Sequence, residues 1–284
     1  MAQFTNQAQL TYNNSVTNSN IAVGEILEVL SAVKTAVRDV YTQNGTVTYI
    51  VSLVNSGATA INGLTLTDNL GAYTLVTDAR VPLDYVEGSV KYYVNGVLQP
   101  APTVAADNSL IITGISIPAN SNAIIAYETG VNSFAPLDTA GTINNTVTVT
   151  GTGITPITAA ETVTASAAPV LSITKSISPV PVAENGELTY TFVIQNTGNT
   201  AVTADDLATV TDTFNPLLSN ISVTFNSAAW SAPANYTYDA TTGLFATVPG
   251  QITVPAATFA QNTQTGVWTA TPGTATLVVT GTVA

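Results

Sequence analysis

Short runs in which apolar and polar residues alternate recur along the whole chain, each closed by Gly, Asn, Asp, Ser or Pro. Examples are GTVTYIVSLVNSG (45–57), GSVKYYVNG (88–96), NNTVTVTGTG (144–153) and ELTYTFVIQNTGN (187–199). A period of two predicts strands that bury one face, and Asn95-Gly96 predicts a tight two-residue hairpin turn. Only residues 21–37, IAVGEILEVLSAVKTAV, offer a helical alternative. Gly24 and the β-branched residues there suit strands as well. The pattern predicts an all-β chain.

Two segments share more than alternation. Around Lys34 the chain reads LSAVKTAV, GTVTYIVSLVNSGATA and LTLTDNL; around Lys175 it reads LSITKSIS, GELTYTFVIQNTGNTA and ATVTDTF. Lys34 to Tyr49 and Lys175 to Tyr190 both span 15 residues, and Lys34 to Asn55 and Lys175 to Asn196 both span 21. Asp68 and Asp212 follow their lysines by 34 and 37 residues, a short insertion in the second copy. A shared Thr-Val composition does not place matched lysines in a chain with so few of them, so an internal repeat is the reading. The copies meet near TVTASAAPV (162–170). The expected organisation is an N-terminal segment 1–20, a first domain 21–168 and a second domain 169–284.

The KT…GxxxTYxxxxxNxG…TDxL arrangement resembles the prokaryotic conserved-repeat domain of bacterial surface proteins. That resemblance implies tandem immunoglobulin-like β-sandwiches. The whole chain is similar to clostridial proteins assigned to spore appendages and spore surfaces, which implies an architecture and an extracellular or spore-surface location but no catalytic residues.

Composition narrows the function. The chain carries 17 acidic residues against 5 basic ones, a formal charge of -12, which disfavours nucleic acid and anionic membrane surfaces as partners. No run of about 18 apolar residues is present to span a bilayer. The first 20 residues lack the basic and apolar regions of a secretory signal; either a signal was removed, or release follows another route such as lysis. With no Cys and no His, disulfides, thiol nucleophiles, Ser–His–Asp triads and most transition-metal sites fall away. The expectation is a structural protein without cofactor or metal, and no enzyme apart from autocatalytic bond formation.

The repeat exposes an asymmetry. After NAIIAYETGV the first copy continues into a last strand, INNTVTVTG (143–151), whereas the second ends at TATLVVTGTVA. The second domain is expected to lack that strand, leaving an unpaired edge and part of its core open. FTNQAQLTYN (4–13) precedes the first repeat without a counterpart before the second, and Asn6-Gln7-Ala8-Gln9-Leu10 aligns with Asn145-Thr146-Val147-Thr148-Val149. Phe4, Asn6, Ala8 and Leu10 would then form the inward face of a donor strand that enters the second domain of the next molecule. Such β-augmentation is heterologous and propagates. The alternative is that residues 1–20 pair with the first domain or form a flexible arm.

Lys34, Asp68 and Asn145, in that strand order, match surface domains with self-formed Lys–Asn isopeptide bonds. A buried amine loses its charge and becomes nucleophilic, and a protonated buried carboxyl polarises the carboxamide, so attack releases ammonia. By the same logic Lys175 and Asp212 would bond to Asn6 of the neighbouring molecule. In the alternative reading the lysines are solvated edge residues, the aspartates cap turns, and Asn145 merely starts a strand.

Weaker signals remain. Asp205-Asp206 and Asp107-Asn108 lack a calcium-loop pattern. Trp230, Trp268 and the tyrosines at 236 and 238 could form a carbohydrate platform or pack a core. Lys91 reads as an exposed strand residue. The expected function is a head-to-tail homopolymeric fibre subunit, with other spore or cell-surface proteins as further partners; the rival is a surface adhesin module binding host, matrix or carbohydrate ligands.

Overall fold

The computed structural model describes residues 2–26 and 28–284, and every regular element but one short 3-10 turn is a strand. The chain divides into two compact units, residues 1–132 with 143–163 and residues 133–142 with 164–284.

The first unit begins with an arm of four strands: β1 (Ala2–Asn6), β2 (Gln9–Tyr12), β3 (Ser15–Asn18) and β4 (Ala22–Ile26). β1 pairs antiparallel with β4, and β2 with β3. The donor segment is thus half of a hairpin that runs on to residue 26, past the expected boundary at 20. Its turn is Asn13-Asn14, both at positive φ. Asn tolerates that conformation better than most residues. Residues 21–37, where a helix was an open alternative, are strand on both sides of residue 27.

The body of this unit contains β5 (Leu30–Ala36), β6 (Val40–Tyr41), β7 (Thr46–Asn55), β8 (Ile61–Asp68), β9 (Tyr73–Leu75), β10 (Asp78–Arg80), β11 (Leu83–Tyr85), β12 (Lys91–Val94) and β13 (Val97–Leu98). It continues through β14 (Thr103–Ala106), β15 (Leu110–Ile117), β16 (Ser121–Val131), β17 (Thr142–Thr150) and β18 (Ile157–Ala165). One sheet runs β13-β12-β16-β7-β5, with β11 also on β16; the other runs β14-β15-β8-β17-β18-β6. Alternate residues of each point inward: Tyr49, Val51 and Leu53 from β7, Leu64 and Leu66 from β8, and Ile143, Val147 and Val149 from β17 are buried. Asn95 and Gly96 turn β12 into β13 with both residues at positive φ, as the dipeptide requires. One expectation needs correction: 143–151 is not the last strand of this unit, because β18 follows and lies on its outer edge.

The second unit contains β19 (Leu171–Ser178), β20 (Glu187–Asn196), β21 (Thr211–Thr213), β22 (Leu218–Phe225), β23 (Ala228–Trp230), β24 (Tyr236–Tyr238), β25 (Leu244–Thr247), β26 (Thr258–Gln261), β27 (Trp268–Thr271) and β28 (Gly273–Val283). Its larger sheet runs β19-β20-β28-β22-β23 and the opposing one only β21-β25-β24. The repeat holds in register: Lys34 lies opposite Val51 and Lys175 opposite Phe192, each 17 residues on, while Asp68 faces Leu110 and Asp212 faces Phe245.

The repeated asparagines pin loops to the sheets. Asn55 is fully buried; its Nδ2 donates to the carbonyls of Thr59 (2.8 Å), Ile117 (3.2 Å) and Pro118 (2.9 Å), and its Oδ1 accepts from the Gly57 N–H (3.0 Å). Asn196 repeats this with Thr200, Pro255, Gly198 and Val170. Replacing Asn55 by Ala removes these four hydrogen bonds, and at about 1 kcal/mol per lost bond it should cost about 4 kcal/mol. A urea-unfolding midpoint measures this, and a loss under about 1 kcal/mol would contradict the pinning role.

Candidate functional site

β5 and β8 belong to opposite sheets of the first unit, and their inward side chains meet. Lys34 Nζ donates to Asp68 Oδ2 at 2.5 Å with both side chains buried. The same carboxylate oxygen accepts from the Tyr127 hydroxyl, and Asp68 Oδ1 accepts from the Leu70 N–H at 2.9 Å. Lys34 Nζ also lies 4.7 Å from the centroid of the Tyr49 ring. Burial lowers the Lys34 amine from 10.5 to about 8, with the charge of Asp68 partly opposing the shift. Burial pushes the Tyr49 and Tyr127 hydroxyls well above their usual range. Tyr127 escaped the sequence reading because the second copy does not repeat it: the β7–β16 and β20–β28 registers place Val279 there.

Asn145 completes the cluster from β17, two residues before Val147, which pairs with Asp68. It is fully buried, and its Oδ1 accepts from the Gly71 N–H at 3.2 Å. Its side chain acts on both tyrosines as a hydrogen-bonding neighbour, partly offsetting their rise, yet neither its Nδ2 nor the Tyr49 hydroxyl makes a well-aligned hydrogen bond. A buried amide nitrogen without an acceptor is a costly arrangement. It is also the atom that departs when an amine attacks the carboxamide, while the Gly71 N–H stands where the carbonyl oxygen gains charge.

The second unit holds half of this arrangement. Lys175 forms an ion pair with Asp212, with its Nζ 4.5 Å from the Tyr190 centroid. No asparagine joins them among the described residues. The side chains of Lys175 and Asp212 are 38% and 18% exposed, against 0% and 2% for Lys34 and Asp68. The Asp212 oxygen facing the lysine accepts no aligned hydrogen bond. The whole of β19 is exposed, including Leu171, Ile173 and Ile177, which alternate with Lys175 on one face; the matching Leu30 of β5 is buried. β21 pairs with β25 on one edge and with no described strand on the other, where β8 has β17.

The donor residues Phe4, Asn6, Ala8 and Leu10 lie in the arm, with Phe4 and Leu10 exposed and Asn6 opposite Ala22. They share the spacing of the four buried positions of β17, Ile143, Asn145, Val147 and Val149.

The remaining candidates serve structure. Trp230 stacks on Phe225 at 4.8 Å, Tyr236 packs on Phe245 at 5.5 Å, and the Tyr238 hydroxyl bonds the backbone of Leu218; Tyr236 belongs to the core, and Trp230 and Tyr238 are half-buried against it. The Trp268 Nε1 is buried without a hydrogen-bond partner. Asp206 accepts from the Thr203 N–H as a turn cap, Asp107 accepts from Asn108, and Lys91 is exposed. No helix among the described residues is long and apolar enough to cross a membrane.

No family model and no curated protein sequence matches the chain. Among solved structures it is similar to the C-terminal domain of the Streptococcus agalactiae AgI/II polypeptide BspA, at 11% identity and TM-score 0.34, covering 89% of this chain and 92% of that one. It is similar to BcpA, the major pilin subunit of Bacillus cereus, at 12% identity and TM-score 0.36, covering 71% and 69%. It is also similar to the pilus backbone RrgB of Streptococcus pneumoniae, at 11% identity and TM-score 0.35, covering 86% and 55%. At these identities the likeness concerns fold alone.

A variant that keeps the Lys34 amine free, Asn145→Ala, tests the buried lysine through pH. The folded amine titrates near 8 and the unfolded one near 10.5. Between these values the unfolded chain holds more protons, so stability rises with pH. About 2 kcal/mol should be gained from pH 8 to 9.5, before the buried tyrosines oppose the trend. A flat urea midpoint over that window would contradict it.

Proposed function

We propose that this chain is the structural subunit of a self-assembling extracellular fibre, of the kind a spore appendage or cell-surface filament requires. Subunits join head to tail: the segment 4–13 of one enters the second unit of the next, beside β21 and over β19. The observation that carries the reading is the uncovered inward face of β19 beside the free edge of β21, in a unit whose internal copy has both covered. Placed there in the register of β17, Ala8 falls opposite Asp212, Leu10 opposite Val210, and Asn6 beside the Lys175–Asp212 pair.

The joint is then covalent. Lys175 Nζ passes a proton to Asp212 and attacks Cγ of Asn6 of the next subunit; the Nζ–Cγ bond forms, the Cγ–Nδ2 bond breaks, and Nδ2 leaves as ammonia with protons relayed by Asp212. Lys34, Asp68 and Asn145 carry out the same exchange within the first unit. The orphaned Asn145 Nδ2 and the lowered Lys34 amine support that step. Electron microscopy of the purified chain, with boiling in SDS, tests the whole reading. Fibres that run as a ladder support it, and a dispersed monomer sinks it.

A further inference from the structure

The first unit has three strands beyond β8, with β17 against it, β18 outside β17 and the two-residue β6 outermost; the second unit has none among the described residues beyond β21. The arm supplies two, and they are already joined. We infer that the arm enters the neighbouring subunit as an intact hairpin, β1 and β2 in the place of β17 and β3 and β4 in the place of β18. This deepens the strand-donation reading and rests on it.

Three features of the arm carry the inference. Each of β1 and β2 has a single ladder partner, β4 and β3 respectively, so the opposite edge of the first strand is free for β21 while the hairpin stays closed. Opening the hairpin first would break two ladders to make one of similar length, whereas docking it closed adds a ladder at no such cost. The two strands are also packed on each other. The Phe4 ring lies across Gly24 so closely that a Cβ at position 24 would stand 2.3 Å from it. Phe4 aligns with buried Ile143, so the residue that leads the inward face already rests on the returning strand.

The third feature is the returning strand's small inward face. Gly24, Ala22 and Thr17 lie opposite Phe4, Asn6 and Leu10, so the returning strand adds little bulk beside the donor face, while the exposed Val16 and Val23 lie opposite Thr11 and Thr5 on the outer face. In the first unit β18 buries Val163 and Ala165, and the charge of its Glu161 reaches Lys34, so the outer strand there also helps close the lysine site.

Hydrogen exchange of the full-length chain, compared before and after assembly, tests the inference. Within fibres, the ladder amides of residues 15–18 and 22–26 should stay protected at least as well as in the free chain, while residues 4–12 gain protection of tenfold or more. Free exchange over 15–26 with protection over 4–12 would overturn the hairpin and leave single-strand donation standing. No change over 4–12 would overturn both, as would failure of the unaltered chain to assemble. The turn supplies a second probe. Asn14→Pro cannot adopt a positive φ and should slow assembly tenfold or more, and Asn14→Gly, which can, should restore it. Assembly of Asn14→Pro at the original rate would overturn the hairpin.

Discussion

Deleting residues 1–20 is expected to abolish fibres, leaving a folded chain that sediments as a monomer. Among the residues whose burial is described, none of the deleted ones belongs to a core: β2 and β3 are fully exposed, and the first such buried position of the first unit is Leu30. Loss of assembly would therefore report on the joint alone. The subtler variant is Asn6→Ala, which keeps Phe4, Ala8 and Leu10 on the donor face but removes the carboxamide. Fibres should still form, and boiling in SDS should reduce them wholly to monomers. An SDS-resistant ladder in Asn6→Ala would exclude the Lys175–Asn6 bond. Continued ligand binding without any loss of assembly after the deletion would favour an adhesin module instead.

The second large effect is expected at Asn145. The unaltered chain should weigh one ammonia less than its sequence dictates for the bond within the first unit, and Asn145→Ala should show no deficit. A bond between Lys34 and Asn145 closes a loop of roughly 100 residues, and by analogy with a disulfide of that span its loss should cost about 5 kcal/mol. Asp68→Ala should also retain the ammonia, because the amine then lacks its proton relay. It should cost more stability, since Lys34 would be left buried with its partner gone. Intact mass and denaturant unfolding read the two quantities separately. A full-mass unaltered chain would exclude the internal bond whatever the stabilities.

Much of this was legible in the sequence because the repeat carries rare residues at fixed spacing. Lysine is scarce here, so Lys34 and Lys175 announce equivalent strands, and the buried asparagines 55 and 196 recur because each loop they pin needs the same carboxamide. Tyr127 was not legible. It sits in a strand whose alternation already explained an aromatic residue, and the equivalent position holds Val279. The strand 157–165 was missed for a related reason: its inward positions include Glu161, which breaks the apolar row. The returning half of the arm did carry a signal, Asn13-Asn14, a pair suited to positive φ. Its significance was hidden because neither flanking strand buries a residue that would mark a face.

The placement of Lys34 and Asn145 has a mechanical consequence. The chain enters the body of the first unit through β5 and leaves it through β17 and β18, and the two side chains sit on those entering and leaving strands in opposite sheets. Once they are bonded, tension pulled through the backbone crosses from one strand to the other by a single amide. Residues 35–144 then hang outside the path of the force, so stretching cannot draw them out. A filament of such units would strain at its bond angles and lengthen very little before a covalent bond gave way.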